Sequence, residues 1–137
     1  MIYLDSSAVV KLVRREAGTQ QLVAWLRRRP NNPLVASVLV EVEVPRALRR
    51  YAPAALAGVA GVLARLYRVE LDATIRATAA AFADESLRSL DAIHLATAQV
   101  VMSESADAYN AFVAYDRRLL ASASAIGMRV VSPGMPA

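Results

Sequence analysis

Asp91-Ala92-Ile93-His94-Leu95-Ala96-Thr97-Ala98-Gln99-Val100-Val101-Met102 is apolar on nearly every side of a helix. A helix without a polar face has to be covered all round, which places it in the middle of a domain. Outward from it, the segments alternate in type. Ile2-Tyr3-Leu4 is a short apolar strand ending at Asp5, and Ser6 and Ser7 are placed to cap a helix over 6–15. Leu22, Val23, Trp25 and Leu26 recur at helical spacing, and Pro30-Asn31-Asn32-Pro33 stops that helix. Leu34-Val35-Ala36 reads as a second strand, Ser37 as the cap of a helix to position 51, and Pro53 as the start of another to position 66. A third strand is expected over 67–71, with an Ala-rich helix over 73–83. Beyond the central helix come a fourth strand over 111–115 ending at Asp116, a helix over 117–125 closed by Gly127, and a last strand over 128–131. Short apolar strands alternating with helices predict an α/β fold, a short central parallel sheet flanked by helices on both faces.

The 137 residues suit one domain spanning 1–137, long enough to bury a core without disulfides or a structural metal. With no cysteine and a single histidine, His94, the chain has no means of building zinc fingers, iron–sulfur sites or thiol catalysis. The longest apolar run, over 52–64, is interrupted by Pro53, Gly58 and Gly61, and falls short of the ~20 residues that cross a bilayer. The N-terminus has no basic segment before its apolar residues, so a cytoplasmic protein is expected rather than an exported one. The net charge is +4, from 16 basic and 12 acidic residues, and all the basic residues except Lys11 are arginine. Arginine matches phosphate through its bidentate fork, although an Ala- and Arg-rich composition also arises from genomic base bias.

Sites in open parallel sheets form outside the carboxyl ends of the strands. Asp5 and Asp116 each end a strand and precede a helix, where an aspartate can also serve as an N-cap. Asp91 opens the central helix. Glu41 and Glu43 are two apart in Val38-Leu39-Val40-Glu41-Val42-Glu43-Val44, so on a helix they face about 200° apart, and one can be solvated while the other points inward. An inward carboxylate among valines is costly unless paired or bound to a cation. Converging acids form a hard oxygen site suited to Mg²⁺ or Mn²⁺, and such sites largely serve phosphoryl transfer and phosphodiester hydrolysis.

Four stretches carry a family resemblance. Tyr3-Leu4-Asp5-Ser6-Ser7-Ala8 resembles the opening strand of PIN-domain ribonucleases. Leu90-Asp91-Ala92-Ile93-His94-Leu95-Ala96-Thr97-Ala98 is similar to their central acidic motif. Phe112-Val113-Ala114-Tyr115-Asp116-Arg117-Arg118-Leu119 resembles the C-terminal acidic motif, and Val42-Glu43-Val44-Pro45-Arg46-Ala47-Leu48-Arg49-Arg50 the glutamate-bearing helix. Size and motif style resemble the VapC toxins of bacterial type II toxin–antitoxin pairs. The resemblance implies an endoribonuclease that depends on Mg²⁺ or Mn²⁺ and cuts structured RNA, tRNA or rRNA, by metal-activated water. It implies a homodimer silenced by a cognate VapB-type antitoxin, with no membrane partner. It also implies Asp5, Glu43, Asp91 and Asp116 as the catalytic, metal-binding quartet, and Ser7 as a supporting hydroxyl.

Some positions depart from that pattern or read more plainly. Ala114 stands where family members often carry Thr, and Pro45 is expected to remove a hydrogen bond from the helix bearing Glu43 and to kink it. Arg46, one turn from Glu43, is placed to hold that carboxylate or a phosphate. His94 reads as a core or interface histidine, and Asp107 as part of a solvated loop. Val9, Val10, Leu12, Leu22, Trp25 and Leu26, together with 52–66, exceed what a small core needs, so partner surfaces are expected there. Two other functions compete. One is a catalytically inactive RNA- or protein-binding module of the same fold. The other is a different Mg²⁺-dependent phosphotransfer enzyme on a doubly wound sheet, which position 7 (Ser rather than Asp) and the lone Lys11 disfavour.

Overall fold

The computed structural model describes residues 1–136. Five parallel strands run in the order β3-β2-β1-β4-β5. They are β1 (Ile2–Leu4), β2 (Leu34–Ser37), β3 (Tyr67–Val69), β4 (Ala111–Val113) and β5 (Val130–Val131). Ile2 sits in register with Leu34 on one side and Ala111 on the other, so β1 is the centre of the sheet. Alternation along the strands builds two cores. Ile2, Leu4, Ala36, Ala111 and Val113 face one layer, and Tyr3, Val35 and Phe112 face the other.

The first layer is α1 (Ser6–Val13), α2 (Thr19–Arg27), α3 (Val40–Tyr51), a 3₁₀ segment (Pro53–Gly58) and α4 (Val59–Leu63). Val9, Leu22, Trp25 and Leu26 are buried in this core. The partner surface expected of them is therefore spent on folding. Val10 and Leu12 are half-buried against the same cluster. The opposite layer is α5 (Ala73–Ala81), α6 (Ser89–Ser103) and α7 (Arg117–Ala125). Residues Ala92 and His94 through Ala98 of α6 are buried, as its apolar circumference requires.

Local chemistry sets the element ends. Asp5 caps α1 by accepting from the Ser7 backbone N–H, and Asp116 caps α7 by accepting from those of Arg118 and Leu119. Gly127 follows α7 with φ +88, the left-handed geometry that closes a helix. The expected strands over 111–115 and 128–131 shorten to β4 and β5, and the helices over 6–15 and 73–83 end two residues early. Three further expectations shift for a visible physical reason. Ser37 ends β2, paired with Val69, instead of capping α3, and its Oγ accepts from the Leu39 N–H. The 53–66 helix divides into a 3₁₀ turn and a short α4, where Gly58 and Gly61 weaken helix propensity. β3 stops at Val69, because it pairs only with β2 and Asp72 already caps α5. Among the described residues, no helix is long and apolar enough to cross a membrane.

Candidate active site

From β1 the chain steps through β2 to β3 on one side, and β4 and β5 lie on the other, so the strand order reverses between β1 and β4. The carboxyl ends of those two strands form the crevice where open α/β sheets bind ligands. Asp5 follows β1 and Asp116 follows β4 at this point. Ser7 ties the two ends together. Its hydroxyl donates to Asp5 Oδ2 at 2.6 Å and accepts from the Tyr115 N–H at 3.1 Å. Each aspartate therefore has one oxygen engaged in capping, which fixes its rotamer. Their N-cap role and a role in the crevice coexist.

Asp91 reaches the same region from α6. The helix starts at Ser89, so Asp91 lies in its first turn and is not the cap residue. Its carboxyl is held above the ordinary carboxylate range, first by burial and then by the negative charges of Asp5 and Asp116, with Arg88 and His94 opposing. Arg88 stands 3.9 Å away and is largely exposed, so it offsets little of this. The three aspartates thus share one field of like charge.

Glu43 enters from α3 and is held by two side chains. Ser6 Oγ donates to Oε1 at 2.7 Å, and His94 Nε2 lies 2.6 Å from the same oxygen. Burial works against its charge, but the hydrogen bond and charge of His94 outweigh it, and the carboxyl falls below its ordinary range. His94 is 1% exposed. Burial disfavours its charged form, yet the hydrogen bond to Glu43 and the charge of Asp5, 3.8 Å away, raise its pKa. On its other side, His94 Nδ1 is 2.8 Å from the Tyr3 hydroxyl, which accepts from the Ser37 N–H at 3.1 Å.

Pro45 lies inside α3, but the helix continues to Tyr51 and Glu43 still reaches the crevice. Arg46 is exposed and forms no ion pair with Glu43, whose Oε1 belongs to Ser6 and His94. Asp107 pairs with the N-terminal amine at 3.3 Å, beside the first residue of the chain and at the other end of β1. Ala114 is fully buried in the second core. Sequence reasoning left out Tyr3 and Ser6 and gave His94 no contact with an acid. The available signal was spacing, since His94 lies one turn after Asp91 on the same face, while Tyr3 and Ser6 flank Asp5 closely.

The donor set is oxygen-rich and hard, and a divalent cation would discharge the repulsion around Asp91. Asp5, Asp91 and Asp116 fit such an ion in chemistry and charge. As the side chains stand, no three His, Asp or Glu groups among the described residues are grouped tightly enough to hold a metal ion.

A PIN domain model matches residues 2–125. Ribonuclease VapC35 of Mycobacterium tuberculosis (strain ATCC 25618 / H37Rv) is 50% identical over 134 residues, covering 98% of each chain. Ribonuclease VapC46 of the same strain is 39% identical over 132 residues, covering 96% of this chain and 97% of its own. Among solved structures, a toxin–antitoxin complex from Klebsiella pneumoniae matches with TM-score 0.72 at 20% identity, over 99% of this chain and 100% of that one. Mycobacterium tuberculosis VapC20, a sarcin–ricin loop cleaving toxin, matches with TM-score 0.67 at 15% identity, over 93% and 96%. The structural likenesses carry the fold, and the sequence identities carry the family: this chain belongs to the PIN-domain family, among the VapC ribonucleases.

Proposed function

We propose that this VapC ribonuclease cuts structured RNA, tRNA or rRNA, in the cytoplasm with Mg²⁺ or Mn²⁺, the chain working as one nuclease domain. The observation that carries the reading is the mutual charge of Asp5, Asp91 and Asp116 at the strand-order reversal, expressed in the raised pKa of Asp91. These three aspartates would hold the cation, with Glu43 completing the set. The cation supplies Lewis-acid stabilisation of a phosphoryl oxygen and makes water a better nucleophile. Asp5 and Asp116 each use one oxygen in capping, through Oδ2 and Oδ1 respectively, which leaves the other oxygen available to a cation. Ser7 keeps the two strand ends at a constant separation through its paired hydrogen bonds.

Arg46 and Arg50 lie three and seven residues beyond Glu43, on the same side of α3, and neither has an acidic partner among the described residues. They are placed to take phosphates of an RNA strand leading away from the acids. A VapB-type antitoxin and a second copy of the chain are the proposed protein partners. Exposed Val42 and Leu90, the latter next to Asp91, give apolar surface near the site for such contacts.

Expression without an antitoxin is expected to arrest growth, and the purified chain to cut RNA with Mn²⁺ but not with EDTA. Asp91→Asn, still folded, is expected to relieve the arrest and to lose cleavage by at least about 100-fold. A folded parent protein that leaves all RNA intact would favour the inactive binding module.

A further inference from the structure

We infer that His94, fixed by Tyr3, is a positioning residue that aims the Glu43 carboxylate through an Nε2–H hydrogen bond. The inference rests on the ribonuclease reading of the same site. Four polar groups form a continuous chain from the sheet into the crevice: the Ser37 N–H, the Tyr3 hydroxyl, the His94 ring and Glu43 Oε1, with successive separations of 3.1, 2.8 and 2.6 Å. Tyr3 and His94 are at most 1% exposed, so water does not serve their polar atoms and each has to find its partner in the protein.

The directions follow from the donors available. The Ser37 N–H can only donate, so the Tyr3 oxygen accepts from it. A tyrosine hydroxyl keeps its proton at neutral pH, so Tyr3, accepting from Ser37, has one hydrogen left to donate. With a neutral ring, that proton points to Nδ1, and the ring hydrogen must sit on Nε2. With a charged ring, both nitrogens carry hydrogen. In either state Nε2–H faces Glu43 Oε1, which accepts a second hydrogen bond from Ser6 Oγ.

Two donors on one oxygen fix the carboxylate plane and leave Oε2 directed elsewhere. Tyr3 stacks on Phe112 at 5.4 Å with planes 4° apart, so the relay is anchored in the second core rather than on a loop. Hydrogen-bond partners behind a ligating group typically change activity or metal affinity by about 10–100-fold when removed.

The test has two readouts. His94 is the only histidine, so an imidazole ¹H–¹⁵N correlation spectrum of the metal-free protein has one ring to assign. The expected result is a protonated, slowly exchanging Nε2, and a bare Nε2 overturns the inference. The second readout is cleavage kinetics. Tyr3→Phe, which removes one hydroxyl and keeps the ring stack, is expected to lower kcat by about 10–100-fold with KM for RNA unchanged. His94→Gln, whose amide offers an N–H toward Glu43, should cut faster than His94→Leu. Parental kcat in folded Tyr3→Phe overturns the relay, as does equal activity of the two His94 variants. If the parent fails to cut RNA, the ribonuclease reading falls, while the imidazole spectrum still decides where the His94 proton sits.

Discussion

His94 and Glu43 shift in opposite directions, and the pair therefore sets a pH window for stability. His94, raised above its ordinary 6.5, contributes stability that is complete below that value and lost as pH rises through the raised one. Glu43, lowered from its ordinary 4.5, contributes stability that is present above that value and lost as pH falls through the lowered one. Urea denaturation in EDTA is expected to show parental stability highest between about pH 4.5 and 6.5 and declining as pH rises above that. Glu43→Gln should remove most of that alkaline decline, because it withdraws the acceptor that favours the imidazolium. A parental curve that stays flat from pH 6 to 9 would contradict the pairing. None of this was legible from His94 alone. A single histidine on an apolar helix has the pattern of a core residue, and its partners lie 51 and 91 positions away in the chain.

At the scale of elements, strand–Asp–helix was readable at both ends of the chain because it depends on local chemistry. A carboxylate at once after the β1 triplet (Asp5), or separated from the β4 triplet by two residues (Asp116), accepts the first free helix N–H groups. Elements whose limits depend on pairing were less readable. Ser37 has the chemistry of a cap, yet the β2–β3 ladder keeps it extended. Pro45 is the informative exception. It removes the N–H that would bond the Glu41 carbonyl, but the buried Val40, Val44 and Leu48 of α3 hold the helix to the core across that gap. Pro45→Ala should restore the bond and raise stability by about 1–2 kcal/mol, the helical gain being offset partly by a freer unfolded chain. Chemical denaturation measures it, and a destabilised, folded Pro45→Ala would show that the ring's packing outweighs the missing bond.

For the whole molecule, the strand order β3-β2-β1-β4-β5 turns four separated sequence motifs into one crevice. Strand order is set by long-range pairing, so the sequence motifs mark Asp5, Glu43, Asp91 and Asp116 as candidates but not that Glu43 would be shared with Ser6 and His94. The expected partner surface shows the same limit. Helical spacing marked Leu22, Trp25 and Leu26 as apolar, but only packing decides between core and interface, and they are core. What remains exposed includes Val42 and Leu90 beside the acids. The central claim is that Asp5, Asp91 and Asp116 act as one cation site even though two of them also cap helices. Thermal melts with and without Mn²⁺ test it most directly, on the parent, Asp5→Asn, Asp91→Asn and Asp116→Asn. Asparagine caps about as well as aspartate, so metal-free melting should stay near parental for the Asp5 and Asp116 variants. For Asp91→Asn at neutral pH it should be parental or higher, because an acid with a raised pKa is destabilising when ionised. The account predicts a clear rise in Tm with Mn²⁺ for the parent, largely lost in each variant. An undiminished rise in all three would contradict it.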